Sequence, residues 1–416
     1  MPISSNPTIQ LVITAATYGG RSIARYNGKA VFVPFALPGE VVKAQIVEDH
    51  KNHAVARLVS VEKSSPLRIA APCPMFGKCG GCHYQHIAYE HQLTLKQQIF
   101  AENLERIAKI KEPPCLPIIP SPIQTGYRNN MQFHLNEAGG LCFFPEDQLA
   151  DLLPIKHCLL ASAEINNLLA DLVFEEPAGI DRVSIRVGQQ DMMLVLEAED
   201  LEIPNLAIEA DISVVHLAGD DMVVLSGQDA IRLDILEKTF RVSAPSFFQV
   251  NTLAAELMVK KVLALVQWNK SQVVMDLYCG AGLFSAFIAP LVSKVIGIEV
   301  GPSSCADFEV NLDAFDNVEL YEGMAEDILP YLKQKVDVVI VDPPRAGLDK
   351  KVIEAIAKRM PSQVIYVSCD PTTLARDLQR FAELGYGLVS SQPLDMFPQT
   401  FHIESISLLE KQATTR

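Results

Sequence analysis

Three places in the chain combine residue types and spacing that chemistry could use. Cys369, in Tyr366-Val367-Ser368-Cys369-Asp370-Pro371, ends an apolar run and precedes a helix start. A sulfur there can be a nucleophile, because the positive end of the helix favours thiolate. Upstream, Asp276-Leu277-Tyr278-Cys279-Gly280-Ala281-Gly282 offers a loop to a nucleotide-like cofactor. Downstream, Phe401-His402-Ile403-Glu404-Ser405 offers a carboxylate. These are three parts of a group-transfer reaction. A single cysteine in a strand is ordinarily a buried structural thiol. The expected convergence of Asp342 and Cys369 on one sheet edge lifts Cys369 above that reading.

Gly280 and Gly282 follow the apolar run 273–277 and permit a tight turn with close approach of a ligand to backbone. Glu299 ends the next apolar run, at a separation that suits a carboxylate binding ribose hydroxyls. Ser285 stands where a dinucleotide fingerprint wants its third glycine, so pyrophosphate is not supported. A cofactor with ribose and no phosphate fits better, and S-adenosylmethionine is one. By itself Gly-x-Gly is a weak signal, and many such pairs are only turns. Asp342-Pro343-Pro344-Arg345-Ala346-Gly347 follows another apolar run. Its prolines would fix the backbone and aim Asp342 into the cleft at the strands' carboxyl ends; the plainer alternative is a rigid turn with a surface Arg345.

Cys73, Cys79 and Cys82 form C-x5-C-x2-C, and Gly80-Gly81 would let their sulfurs fold around one centre. The spacing suits zinc or an iron–sulfur cluster, since both take thiolates. Cys115, Cys142, Cys279 and Cys305 have no such motif and read as ordinary packing.

These groups need elements to hold them. A chain of 416 residues exceeds one ordinary core. Residues 1–63 hold short β-runs at 9–13, 31–35, 41–47 and 54–59, with turns at Gly19-Gly20 and Pro38-Gly39, and suggest a small β-barrel. Residues 64–90, rich in proline and cysteine, read as an irregular segment ordered by a metal. Within residues 91–250, helical spacing over 91–108 predicts a linker helix, and alternating runs predict a central β-rich domain. Residues 251–416 alternate strand and helix, which is the pattern of a doubly wound α/β domain.

Composition narrows the function classes. Net charge is −15 (35 Lys and Arg, 50 Asp and Glu), which argues against a broad nucleic-acid grip and leaves room for a local basic groove. The uncharged stretch 277–293 contains Gly280, Gly282, Ser285 and Pro290, so it reads as loop and buried helix rather than a membrane span. The first residues lack a secretory pattern, which predicts a cytoplasmic protein with no membrane partner. In such a chain nine cysteines serve metals or catalysis more often than disulfides.

Taken together, Phe247-Phe248-Gln249-Val250-Asn251, the 276–282 loop, Asp342-Pro343-Pro344-Arg345-Ala346-Gly347, Ser368-Cys369-Asp370-Pro371-Thr372-Thr373-Leu374-Ala375-Arg376-Asp377 and Asp395-Met396-Phe397-Pro398-Gln399-Thr400 carry a resemblance. The chain resembles the S-adenosylmethionine-dependent RNA 5-methyluridine methyltransferases, including members with an N-terminal TRAM-type barrel. The resemblance spans nearly the whole chain in the family's order. It implies a Rossmann-like methyltransferase domain in which Cys369 adds to C6 of uracil and Glu404 removes the C5 proton. It implies cofactor binding by Gln249, Tyr278, Glu299 and Asp342, to which the turn reading adds Gly280. It further implies a [4Fe-4S] cluster on Cys73, Cys79 and Cys82 with Cys158 as fourth ligand, and ribosomal or transfer RNA as substrate. For RNA contact we expect a local basic track using Arg21, Arg25, Arg128 and Arg345. Two residues depart from the family pattern: Phe401 stands where a small or polar residue is common, and Asn130 where a basic one is. The rival readings are a non-catalytic RNA-binding relative and an iron–sulfur redox or sensor protein.

Overall fold

The computed structural model describes residues 8–146, 151–172, 174, 179–200, 211–219 and 221–412. The chain forms two compact units, one of Met1–Phe100, Phe144–Asp151 and Phe397–His402, the other of Ala101–Phe143, Leu152–Met396 and Ile403–Arg416.

In the first unit, β1 (Thr8–Ala16), β2 (Arg21–Tyr26), β3 (Lys29–Pro34), β4 (Val41–Asp49) and β5 (His53–Lys63) close into a barrel in the order β1-β2-β3-β5-β4. Strict alternation along β1 turns Ile9, Leu11 and Ile13 inward, where they pack on Ala24, Val31, Val33, Val42 and Ala44. Sequence patterning shows four of these strands and misses β2, because its inward residues are the small Ser22 and Ala24. Glu40 is fully buried at the barrel's edge. It accepts from Arg68 Nε (2.6 Å) and Nη2 (2.7 Å) and from the amides of Leu37 and Ser65, so the barrel is joined to the segment that follows. The 18-residue helix α1 (Tyr89–Arg106) then leads into the second unit.

The second unit holds two large sheets. The first contains β6 (Asn130–Leu135), β7 (Leu141–Phe143), β8 (Leu153–Pro154), β9 (Ile180–Val187), β10 (Met192–Ala198), β11 (Ser213–Ala218) and β12 (Asp221–Ser226), in the order β12-β11-β10-β9-β6-β7-β8. The helix α2 (Ala163–Asp171) packs beside β9. A hairpin, β13 (Ala230–Ile235) with β14 (Lys238–Ser243), follows, and Asn251 then caps α3 (Thr252–Leu265) by accepting from the Ala254 amide at 3.2 Å.

The second sheet is the expected α/β layer. It comprises β15 (Val273–Leu277), β16 (Lys294–Glu299), β17 (Val318–Glu322), β18 (Val338–Val341), β19 (Gln363–Ser368), β20 (Tyr386–Leu394) and β21 (Glu404–Lys411), in the order β17-β16-β15-β18-β19-β21-β20. Helices α4 (Leu283–Ile288), α5 (Pro302–Leu312), α6 (Ala325–Ile328), α7 (Lys350–Arg359) and α8 (Pro371–Glu383) connect the parallel strands or follow them. β15, β18 and β19 are buried almost throughout, which is why they read as unbroken apolar runs. The uncharged stretch 277–293 becomes a strand end, a glycine turn and the buried α4, and among the described residues no helix is long and apolar enough to cross a membrane.

Gly282 caps α4 at φ 89°, and a Cβ there would meet Leu312 Cδ1 at 2.3 Å and Phe308 Cδ2 at 3.0 Å. Gly282→Ala therefore combines a left-handed backbone with overpacking against α5, and we expect a loss of about 2–3 kcal/mol. Denaturant unfolding monitored at the single Trp268 checks this; an unchanged midpoint would refute the packing argument.

Candidate active site

The parallel strands β15, β16, β18 and β19 all end on one edge of the sheet, so the residues just past their ends share it. Leu277 pairs with Val341, so Tyr278 and Asp342 are the next neighbours along β15 and β18. The sheet order reverses here, with β16 on one side of β15 and β18 on the other, and this is where open α/β sheets leave a ligand crevice. On β19 the neighbour is the antiparallel β21. Ser368 lies opposite Ser405, and one step further along the same register sets Cys369 opposite Glu404.

The 276–282 loop is held from below and open in front. Tyr278 adopts φ 62° and Gly280 φ 53°, and the amides of Tyr278 and Cys279 both donate to Ile298 O, at 2.9 and 3.2 Å. Glu299 Oε2 accepts from Gly280 N at 2.9 Å, while Oε1 accepts from Val300 N (2.9 Å) and Gly301 N (2.8 Å). Its carboxylate thus braces the turn and keeps lone pairs for further donors such as ribose hydroxyls. A Cβ on Gly280 would meet no atom within 4 Å, so this glycine fronts open space, whereas Gly282 is packed. Such a turn suits a ligand that approaches backbone closely and brings no phosphate.

Two groups emerge here with parts that sequence reasoning did not give them: Asp276 had no role, and Arg345 was expected only to contact RNA. Asp276, fully buried on β15, accepts from Ser285 Oγ at 2.6 Å, and its Oδ1 has no partner. Ser285 is the residue that displaces the third fingerprint glycine, and its hydroxyl serves this carboxyl. Burial pushes Asp276 up to about 7, with Glu299 adding to the rise and Ser285 opposing it. The signal available in the sequence was only an acid at the end of an apolar strand. Gln249 lies in the loop before α3, where Asn129 Nδ2 donates to its carbonyl at 3.2 Å and Asn129 N donates to Val250 O at 3.0 Å.

The second group is Arg345, exposed on the loop after β18. Its guanidinium is the cation that opposes an otherwise acidic site. Burial pushes Asp342 up to about 7, and Asp276 pushes the same way. Glu404 rises to about 8 by burial and then by the charge of Asp342, with Arg345 pulling it back. The Cys369 thiol rises to about 12, first by burial, then through Glu404 and Asp342, again against Arg345.

The expectation that the start of α8 lowers the Cys369 thiol is therefore corrected. Asp370 Oδ1 accepts from Thr372 N (2.7 Å) and Thr373 N (3.1 Å), so the carboxylate of the capping residue already occupies the helix end. The site at rest holds a thiol.

The cysteine segment is different. Cys73, Cys79 and Cys82 are half-buried; Cys73 N donates to Gln85 Oε1 at 3.1 Å and Gly81 N to Cys79 Sγ at 3.4 Å. Cys158 belongs to the second unit, its backbone bracketed by the side chain of Asn166. Among the described residues, no group of three or more His, Cys, Asp or Glu side chains is arranged to hold a metal ion. The cluster expected on these thiols is thus not borne out by the arrangement of the chain.

The other predicted contacts are placed as follows. Arg21 and Arg25 are both exposed, four residues apart on β2, so they share one face of that strand. Arg128 precedes β6, and Asn130 begins it, opposite Arg186. Phe401 joins an aromatic group in the first unit, edge-on to Tyr18 (5.5 Å between ring centres) and His83 (4.7 Å).

With this geometry in hand, the chain can be compared with known proteins. The family described as tRNA (uracil-5-)-methyltransferase matches residues 196–412, and the TRAM domain matches residues 7–59. An uncharacterized RNA methyltransferase of Halalkalibacterium halodurans is 34% identical over 98% of both chains. Another, from Aquifex aeolicus, is 35% identical over 97% of this chain and 98% of its own. The crystal structure of Pyrococcus abyssi tRNA (uracil-54, C5)-methyltransferase with S-adenosyl-L-homocysteine shares the fold, with a TM-score of 0.76 at 24% identity, covering 96% of this chain and 99% of that one. By sequence match over its whole length and by the sheet edge just described, this chain belongs to the tRNA (uracil-5-)-methyltransferase family of S-adenosylmethionine-dependent RNA methyltransferases, with a TRAM domain at its N-terminal end.

Proposed function

We propose that the protein methylates C5 of a uridine in a structured RNA, ribosomal or transfer, with Cys369 as nucleophile and Glu404 as base. The observation that carries this reading is the β19–β21 register, which sets those two side chains at facing positions beside Asp342. We take residues 1–63, 64–90, 91–250 and 251–416 as the working division into barrel, cysteine segment, linker helix with central sheet, and methyltransferase domain.

S-adenosylmethionine supplies an electrophilic methyl group, and the open turn at Gly280 with Tyr278, Glu299, Asp342 and Gln249 is its proposed holder. The protein's task is to make C5 of uracil nucleophilic, which C5 is not while C5=C6 is intact. The Cys369 thiol first gives up its proton to solvent, the thiolate sulfur then bonds to C6, and the electron pair of C5=C6 moves toward C5 and the O4 carbonyl. C5 uses that pair to bond the methyl carbon, whose bond to the donor's sulfonium sulfur breaks with its electron pair left on that sulfur. Glu404 then accepts the C5 proton, the C–H pair re-forms C5=C6, and the C6–S bond breaks to return the thiolate. Arg345, the cation that lowers both Cys369 and Glu404, favours the charged forms this cycle requires. The uracil must leave its stack to reach Cys369, and we propose that Arg21, Arg25, Arg128 and Arg345 contact the RNA backbone, since phosphate contacts supply most non-specific affinity. A [4Fe-4S] cluster on Cys73, Cys79, Cys82 and Cys158 remains a separate proposal resting on thiolate chemistry, and no step runs through it.

Three outcomes test this reading. With labelled S-adenosylmethionine and unmodified total RNA, the protein should form 5-methyluridine, and Cys369→Ala should form none. Glu404→Gln should retain the methylated RNA on Cys369, because the C5 proton has nowhere to go. A band of protein joined to RNA should then survive denaturing electrophoresis, and free turnover by that variant would exclude Glu404 as the base.

As a base Glu404 must be ionised, and its pKa stands at about 8. The rate should accordingly rise with pH throughout, more steeply below about 8, where both Glu404 and the Cys369 thiol must lose a proton, than above it, where only the thiol, held up to about 12, still must. A slope that does not change near pH 8 would remove Glu404 from the proton step. Finally, protein purified without oxygen should contain iron and inorganic sulfide in equal amounts, and both should be lost in Cys79→Ala. Metal-free protein with full methyl transfer would dismiss the cluster.

A further inference from the structure

The loop that carries Asp342 and Arg345 is anchored to α8, the helix that follows Cys369, and one buried side chain makes the joint. Asp377 is fully buried in α8. Its Oδ2 accepts from Leu348 N (2.8 Å), at the end of the loop, and from Tyr366 Oη (2.8 Å), three residues before Cys369. Its Oδ1 accepts from Arg376 Nε (2.9 Å) and Arg380 Nη1 (3.2 Å). Those guanidiniums turn back to the same loop. Arg376 Nη2 donates to Ala346 O (2.8 Å), Arg380 Nη1 to Leu348 O (3.3 Å), and Thr373 Oγ1 adds a bond to Arg345 O (3.2 Å). The loop lies so close to the helix that a Cβ on Gly347, at φ 72°, would meet Asp377 Oδ2 at 2.5 Å and Arg376 Nη2 at 2.6 Å.

We propose that Asp377 is a positioning residue for methyl transfer: it ties the loop bearing Asp342 and Arg345 to the strand and helix that flank Cys369. The proposal rests on the reading of Cys369 as the nucleophile. Its physical content is that the carboxylate accepts from β19, from α8 and from the 342–348 loop at once, so no one of the three can shift without breaking a charge-assisted bond in a dry site. Misplacing a reacting group by about an ångström costs about a hundredfold in rate, and this joint is what stands between loop and nucleophile.

The test compares wild type, Asp377→Asn, Arg345→Met and the double variant in steady-state methylation of RNA, with kcat and KM measured for RNA and S-adenosylmethionine. Asp377→Asn is expected to lower kcat about a hundredfold with both KM values little changed. In the Arg345→Met background the same substitution should cost much less, because its effect passes through the loop. Additive losses, or a rise in KM at unchanged kcat, would overturn the proposal. Gly347→Ala disturbs the joint from the loop side and serves if Asp377→Asn does not fold; wild-type kcat in that variant would equally overturn it. Cys369→Ala separates the two levels of the argument. Methylation without Cys369 defeats the nucleophile reading itself, whereas Cys369-dependent methylation at full rate in Asp377→Asn defeats only the positioning role.

Discussion

The antiparallel ladder between β19 and β21 is the constraint on which the site depends. Five parallel strands, added one after another through helical crossovers, bring only the residues at their own carboxyl ends to a common edge. A strand inserted in the opposite sense brings its beginning to that edge instead. β21 enters there at Glu404, with Ser405 across from Ser368, and it runs buried for six residues from Glu404 to Leu409. A shift of one residue in this pairing would move Glu404 from one face of the sheet to the other. The backbone bonds and the buried face of β21 therefore decide the relation of the Cys369 thiol to a carboxyl that lies 35 positions further along the chain.

The same arrangement sets the electrostatics. Asp276, Asp342 and Glu404 are each raised first by burial, and the charge of Asp276 adds to the rise of Asp342 as that of Asp342 adds to the rise of Glu404, so the chain answers with protons rather than with several buried cations. Cys369 stays a thiol for the same reason, while the amides that start α8 are taken by Asp370. Such a site is poised rather than activated. Its charge balance is open to change by whatever positive charge enters, and Arg345 is already the fixed part of that balance.

Away from this edge, the chain uses buried carboxylates as joints. Glu40 binds Arg68 and two amides where the barrel meets the cysteine segment. Asp307 accepts from Ser243 N at 2.8 Å and pairs with Arg241, tying the β13–β14 hairpin to α5. Asp377 does the same for α8. In each case the acid is paired and hydrogen-bonded, which is the condition under which burying a charge is tolerable. These three carboxylates are matched by four guanidiniums, Arg68, Arg241, Arg376 and Arg380, so the chain's acidic excess lies elsewhere.

The amino-acid sequence determined the parts that depend on short-range physics. Apolar runs at 273–277 and 363–368 had to be buried strands, Gly280 and Gly282 had to make a turn that residues with a Cβ resist, and Cys369 had to follow the strand and precede a helix started by Asp370-Pro371. Alternation with inward bulk revealed four barrel strands, while β2, with Ser22 and Ala24 inside, left no hydrophobic trace. Only the tertiary structure decided what distant segments do to one another. The run 386–394 contains Ser390, Ser391, Gln392 and Pro393 and has no pattern that announces a strand, yet it becomes β20 because β21 offers it an edge. The capping carboxylate of Asp370, the Ser285 bond to Asp276 and the loop bonds to Asp377 are likewise matters of reach in space. Local sequence specifies which conformations a segment can adopt; burial, charge and the thiol's protonation follow from which segments come to share one dry edge.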